Sequence, residues 1–199
     1  MILPNVSLFP GMMLPLYIFE PRYRQMLADV LEGDRLFAVA MQEPTAMDEE
    51  PASVGGIGMV RASRDNPDGT SNLFLQGLAR VIVHGVADRE PYPRLRIEPV
   101  TPPDEPSLKA EALALKVKEL VRHQLGLEEY QKPGELTPEA PDPKRQLADS
   151  VARLESPPQI ADLVTYALIA DPSRKQELLE TLVIEDRLDK LIAFLLEQD

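Results

Sequence analysis

Leu8-Phe9-Pro10-Gly11-Met12-Met13-Leu14-Pro15-Leu16-Tyr17-Ile18-Phe19-Glu20-Pro21-Arg22-Tyr23-Arg24 changes its backbone habit twice. Val6 to Phe9 and Leu14 to Phe19 are apolar runs on either side of Pro10-Gly11, a pattern that reads as two short strands joined by a turn. At Pro21 the period becomes helical. Tyr23, Met26, Leu27, Val30 and Leu31 recur at i, i+3, i+4, i+7 and i+8, with Pro21 suited to the first helical position and Gly33 to a left-handed cap. A helix over 21–32 is expected. Glu20 is expected to cap its start, where the helix dipole favours a negative charge, and Arg22 to pair with a carboxylate of the surrounding strands. Acid/base chemistry at Glu20 and Arg22 is the competing reading.

Outward from this stretch, Leu36–Met41, Val54–Arg61, Leu73–Gln76, Ala79–Val86 and Arg94–Val100 are further strand candidates, with a turn at Asn66-Pro67-Asp68-Gly69. So many short strands in about a hundred residues predict a closed or nearly closed barrel. Gly55-Gly56-Ile57-Gly58 continues as strand through Met59-Val60-Arg61, so these glycines read as bulge or bend positions instead of a phosphate-cradling loop. Gly77 reads as a strand glycine that lets another backbone come close. Met47-Asp48-Glu49-Glu50 reads as a solvated acidic loop.

Thr101-Pro102-Pro103-Asp104-Glu105-Pro106 excludes regular structure and marks a boundary, giving subdomains 1–103 and 104–199. Every basic residue before it is an arginine; lysines and helical periods follow. Leu113, Val117, Leu120, Val121 and Gln124 or Leu125 form one stripe. Ser156-Pro157 and Asp171-Pro172 start two more helices, and Ile184, Leu188, Leu191, Ile192 and Leu195 line a last one. Gln131 to Arg145 contains four prolines and is expected to be a loop between helices. The fold expected is α+β, a β-barrel followed by an α-helical bundle.

Composition narrows the chemistry. There is no cysteine among the 199 residues, and the two histidines, His84 and His123, stand far apart without a motif tying either to a serine. Lys+Arg 21 against Asp+Glu 33 gives a net charge of −12, shared evenly by the two halves. That field repels polyanions, so neither nucleic acid nor an anionic membrane is an expected partner. Met1 to Phe19 lacks a positive start and is broken by Pro4, Pro10 and Pro15, and no run reaches the roughly 18 apolar residues of a membrane span. A cytoplasmic location is expected.

The stretch Leu8 to Arg24 closely resembles the opening of the Lon protease amino-terminal domain. Val54-Gly55-Gly56-Ile57-Gly58-Met59-Val60, Asp68-Gly69-Thr70, Gln76-Gly77-Leu78-Ala79-Arg80-Val81 and Glu90-Pro91-Tyr92-Pro93 resemble that family's next segments in order. Ala161-Asp162-Leu163, Lys175 to Glu180 and Asp186-Arg187-Leu188 are similar to its helical part. The resemblance covers nearly the whole chain and implies a PUA-like β-barrel with a helix bundle. It also implies a substrate-binding domain. No G-x-x-x-x-G-K-[ST] phosphate loop occurs, and the chain ends where an ATPase module and a serine-lysine proteolytic domain would begin. A free-standing, non-catalytic domain without cofactor or metal is therefore expected.

The resemblance makes Pro10, Gly11, Phe19, Glu20, Pro21, Arg22, Tyr23, Gly77 and Arg80 motif residues with structural roles. Met12, Met13, Leu14 and Tyr92 lie near turns, where they either pack the barrel or stay exposed to bind apolar peptide segments. The expected function is recognition of unfolded or degron-bearing polypeptide, by apolar grooves and strand edges, with an ATP-dependent protease as a further partner. The alternative is an adaptor or scaffold for one folded partner such as a separate ATPase or protease, motivated by the leucine-rich last helix. Oligomeric state is left open.

Overall fold

The computed structural model describes residues 1–46, 48–101, 107–127 and 142–197. The chain is α+β and forms two compact units. One takes Met1–Pro102 together with Asp171–Glu180; the other takes Pro103–Ala170 and Thr181–Asp199.

The first unit holds β1 (Ile2–Leu3), β2 (Met13–Ile18), α1 (Pro21–Glu32), β3 (Leu36–Met41), β4 (Val54–Asp65), β5 (Ser71–Asp88) and β6 (Arg94–Pro99). Pairing runs β1-β3-β4-β5-β2, with β6 also on β5. Among the described residues this is an open path ending at β1 and β2, so the expected barrel is not closed by strand pairing. Leu73–Gln76 and Ala79–Val86, expected as separate strands, are one long strand: its first part pairs with β2 and its last with β6. Register shifts in β4 at Ile57/Gly58 and Val60/Ala62 let the β4–β5 hairpin bend. Its turn has Gly69 at φ +80, and Gly69 N–H donates to Asn66 O at 2.9 Å.

Val6 to Phe9 is not a strand. It lies against β4 and β5 instead of beside a neighbour, and glycines make the room. A Cβ at Gly56 would stand 2.2 Å from Leu8 O, and one at Gly77 would stand 2.1 Å from Phe9 O. Leu8 then enters a core with Ile18, Tyr23, Met26, Leu27, Phe37, Val39, Val60, Leu73 and Leu75. The Tyr23 hydroxyl donates to Ile2 O at 3.0 Å and accepts from Ile2 N–H at 3.2 Å, so this buried phenol is satisfied and ties α1 to β1.

Two local expectations at α1 are corrected. Gly33 has φ −105, and the left-handed residue is Arg35 at φ +62, whose N–H returns to Val30 O and whose guanidinium donates to Val60 O. Glu20 occupies the N-cap position but its side chain does not cap; it turns to Arg22.

The first unit also claims α5 (Pro172–Glu180), which the sequence-based division placed with the helical half. The reason is polar as well as apolar. The buried Gln176 amide donates to Val54 O at 2.8 Å and accepts from Ser7 Oγ at 2.8 Å, and Arg80 Nε donates to Leu179 O at 3.1 Å. Leu179 packs with Phe9 and Val54, with Met12 at the margin.

The second unit is α2 (Leu108–Gln124), α3 (Pro143–Arg153), α4 (Pro157–Leu168) and α6 (Ile184–Leu196). Ala110, Ala114, Val117 and Val121 are the buried face of α2, and the small residues let α6 and α4 approach closely. Arg187 and Asp162 form a buried ion pair at 3.5 Å. Arg187 also donates to Thr181 O at 2.7 Å and Leu182 O at 3.0 Å, so the charge is not left unsatisfied. Helix α3 was missed in the sequence. Of the loop expected over 131–145, residues 131–141 lie outside the described residues, while Pro143 is the first residue of α3 and Asp142 caps it by accepting from Lys144 N–H at 3.0 Å.

Candidate functional site

Alternation along β2 and β5 produces two unlike faces. In β5, Ser71, Leu73, Leu75 and Gly77 point inward, while Asn72, Phe74 and Leu78 are exposed and Gln76 half so. In β2, Ile18 is buried and Leu14 and Leu16 pack on the core, leaving Met13, Pro15 and Tyr17 outside. Register sets Met13 opposite Gln76, Pro15 opposite Phe74 and Tyr17 opposite Asn72. Tyr17 is 53% exposed, Phe19 58% and Phe74 52%. The Tyr17 and Phe19 rings stack with centroids 5.9 Å apart. Aromatic side chains are normally the first to be buried, so this contiguous row is the unit's unspent apolar surface.

Beside it is a charged clamp. Arg22 donates to both carboxylate oxygens of Glu49, at 2.6 and 2.8 Å, and through Nε to Glu20 at 2.9 Å. Its guanidinium lies 4.6 Å from the Tyr23 ring centroid. These bonds hold the Glu49 carboxyl below the usual carboxylate range and push Arg22 further up. Arg89 pairs with Glu50. The loop read as merely solvated is therefore tethered at Glu49 and Glu50 by two arginines. Nothing in the clamp is arranged for proton transfer to a substrate: Arg22 stays charged at any working pH, and Glu20 and Glu49 are its acceptors.

The remaining expected site residues divide clearly. Met13 is on the exposed face. Met12 is half-buried against Phe9 and Leu179, and Leu14 packs on the core. Tyr92 packs on the same core, donates its hydroxyl to Asp29 at 2.8 Å and lies under the Arg94 guanidinium. Gly11, at φ +78, donates to Gly77 O at 2.8 Å and so ties the turn to β5, while Met12 N–H donates to Phe9 O at 3.2 Å across the turn itself. Arg80 is buried with its guanidinium 5.8 Å from the Phe9 ring centroid. Phe19, read as a motif residue with a structural role, is the most exposed aromatic among the described residues. His84 Nε2 sits 3.0 Å from Glu98 on an exposed strand pair. Among the described residues no group of three His, Asp or Glu side chains could hold a metal ion, and no helix is long and apolar enough to cross a membrane.

Sequence reasoning missed Tyr17, Phe74 and Leu78. Apolar residues fill both phases of β2, so its alternation leaves no trace. In β5 the signal was available: Asn72, Phe74, Gln76 and Leu78 share the polar phase, and Phe74 and Leu78 break it.

A family model described as the ATP-dependent protease La (LON) substrate-binding domain matches residues 1–197. The chain belongs to the Lon substrate-binding domain family. It is 28% identical over 196 residues to the Lon protease of Dictyoglomus thermophilum, covering 97% of this chain and 23% of that protein. The Lon protease of Roseiflexus castenholzii gives the same identity and coverage. The chain thus spans about a quarter of the length of these relatives. Among solved structures, the N-terminal domain of Mycobacterium avium complex Lon protease superimposes with a TM-score of 0.76 at 20% identity, covering 100% of this chain and 97% of that one. A Lon N-terminal domain protein from Xanthomonas campestris gives a TM-score of 0.67 at 18% identity, covering 96% and 95%. At those identities the likeness is one of fold. In this Lon-family domain the matched region includes both the exposed aromatic row and the Arg22 clamp.

Proposed function

We propose that this Lon-family domain is a non-catalytic recognition module that binds apolar segments of unfolded or degron-bearing polypeptide on the outward face of β2 and β5. The captured segment is presented to an ATP-dependent protease, carried in the same chain or supplied separately. One observation carries the reading: Tyr17 and Phe74 share the outward face of the β2–β5 pair, and Phe19, just past the end of β2, stacks on Tyr17, each of the three more than half exposed.

The energetics suit transient capture. Three half-exposed aromatics offer about 300 Å² to a ligand. With a similar area from the ligand, the gross gain is about 15 kcal/mol at about 25 cal/mol per Å². Association and ordering remove about 4–15 kcal/mol of this, which leaves between about 0 and about 11 kcal/mol; the middle of that range, about 5 kcal/mol, is weak binding of order 0.1 mM.

Side-chain contact is favoured over strand addition. Met12 O accepts from Gly77 N–H, so by alternation the even-numbered backbone groups of β2 face β5 and the odd-numbered ones face the open edge. Pro15, at the middle of that edge, has no N–H to offer, and an edge proline is a common block to strand pairing. The adaptor reading is weakened, because Leu188, Leu191 and Leu195 of α6 are fully buried and of its leucines Leu196 alone is exposed.

The test is fluorescence anisotropy of a labelled, permanently unfolded protein and its folded form, titrated with this domain and with a Tyr17→Ser/Phe74→Ser variant. Binding of the unfolded form alone, weakened at least about tenfold in the variant, is the expected result. Equal binding by wild type and variant would remove the face from consideration.

A further inference from the structure

The aromatic face has a charge bias that the chain as a whole lacks. Against 33 acidic and 21 basic residues overall, the outward positions of β2, the first half of β5 and the hairpin end of β4 include Arg61 and Arg64 and no Asp or Glu. Arg61 Nε donates to Gln76 Oε1 at 2.6 Å and Nη1 reaches Met59 Sδ at 3.2 Å, which places this guanidinium on the face. Arg64 is opposite Asn72, which is opposite Tyr17. Among the described residues neither arginine has a carboxylate partner. The acids at the hairpin end are engaged elsewhere: Asp65 accepts from Ser71 Oγ at 2.8 Å, and Asp68 accepts from the Thr70 N–H and hydroxyl.

We propose that the segment captured here is an extended apolar stretch flanked by Asp or Glu, the aromatics taking the apolar centre and Arg61 and Arg64 the carboxylates. This rests on the polypeptide-binding reading above and adds a charge preference to it. Guanidinium groups hold carboxylates in a two-point geometry that an ammonium cannot offer. The net charge of −12 opposes an acidic ligand at long range, but at physiological salt that field decays within about 8 Å. Strands about 4.8 Å apart put Arg64 roughly 10 Å across the sheet from Tyr17, within the span of a few extended ligand residues. The charged side chains that share the face, Arg61 and Arg64, are therefore the ones that meet the ligand, while Asp65 and Asp68 are held by Ser71 and Thr70 at the hairpin end.

Three peptides with one Phe/Leu core and a neutral dye, flanked by Asp, Ser or Lys, separate the outcomes by anisotropy at 0.15 M salt. The Asp peptide is expected to bind roughly fivefold tighter than the Ser peptide and the Lys peptide weaker than both, the order expected for two exposed ion pairs. Arg61→Gln/Arg64→Gln should abolish the preference, Arg61→Glu/Arg64→Glu should reverse it, and 1 M salt should shrink it. Melting curves verify that each variant is folded. Equal affinity for all three peptides, lost in Phe74→Ser, would overturn the charge preference and leave apolar capture standing. Binding of none of them, or a Phe74-dependent self-association that covers the face, would overturn both.

Discussion

Strand β2 and helix α6 are both rich in apolar residues and opposite in what they do with them. Helix α6 buries Ile184, Leu188, Leu191, Ile192 and Leu195, and its other positions are mostly charged or small. In β2 every residue from Met13 to Ile18 is apolar, yet only the inward phase meets the core. A strand with one packed face needs apolar residues at every second position; β2 carries them at all of them. The surplus is the surface that the proposed binding would use.

The comparison is broken most forcefully from the helix side. Leu191 is fully buried, so Leu191→Ala should cost about 2–5 kcal/mol, through lost transfer energy and the cavity left behind. Phe74→Ser removes a larger side chain from the exposed face and should move stability by no more than about 1 kcal/mol. Urea denaturation of the two variants beside wild type tests the contrast. A Phe74→Ser loss as large as that of Leu191→Ala would mean the face is structural.

A smaller loss is expected where the sheet admits the Leu8-Phe9 crossing. Gly77→Ala places a methyl group 2.1 Å from Phe9 O, and because that atom is backbone the crossing segment must move. A loss of about 1–3 kcal/mol follows, with lowered exchange protection of the Gly11 amide, which donates to Gly77 O. Gly11→Ala meets no atom within 4 Å but is held at φ +78, so its cost is one of backbone strain alone. Similar losses and similar exchange in the two variants would sink the close-approach account of Gly77.

Legibility followed how local the physics was. The spacing of Tyr23, Met26 and Leu27 requires a helix whatever surrounds it, and Asn66 to Gly69 requires a turn. Gly77 was readable as a close-approach glycine because few other reasons place a glycine inside a strand. Contacts across sequence distance were not readable. Nothing in Val6 to Phe9 reveals that it crosses the sheet, and nothing in Lys175 to Glu180 reveals that Gln176 will bond to Ser7 and Val54. The site suffered from the same blindness. Met12 and Tyr92 were singled out for lying near turns, whereas exposure is decided by strand phase and by partners such as Asp29, 63 positions from Tyr92.

The smallest expected effect is at the Arg22 clamp, and its pH dependence has a definite sign. Arg22 hydrogen bonds lower the folded-state Glu49 pKa, partly offset by desolvation, so the unfolded chain takes up this proton at a higher pH than the folded one. The clamp therefore contributes its full stability above the ordinary carboxylate range and loses it as pH falls through the lowered Glu49 value. Both side chains are about a third exposed, so screening limits the contribution to a few tenths of a kcal/mol. Glu49→Gln should lower the urea midpoint slightly at neutral pH and progressively less as pH falls below the ordinary carboxylate range, where first the unfolded and then the folded Glu49 takes up its proton. Exchange at the Glu43 amide, which donates to Glu50 O at 2.8 Å, gives a local readout of the same tether. A gap between wild type and Glu49→Gln that stays constant from pH 7 to pH 3 would mean that the bidentate geometry contributes nothing through charge, and that the loop is held by its backbone bonds and the Arg89–Glu50 pair.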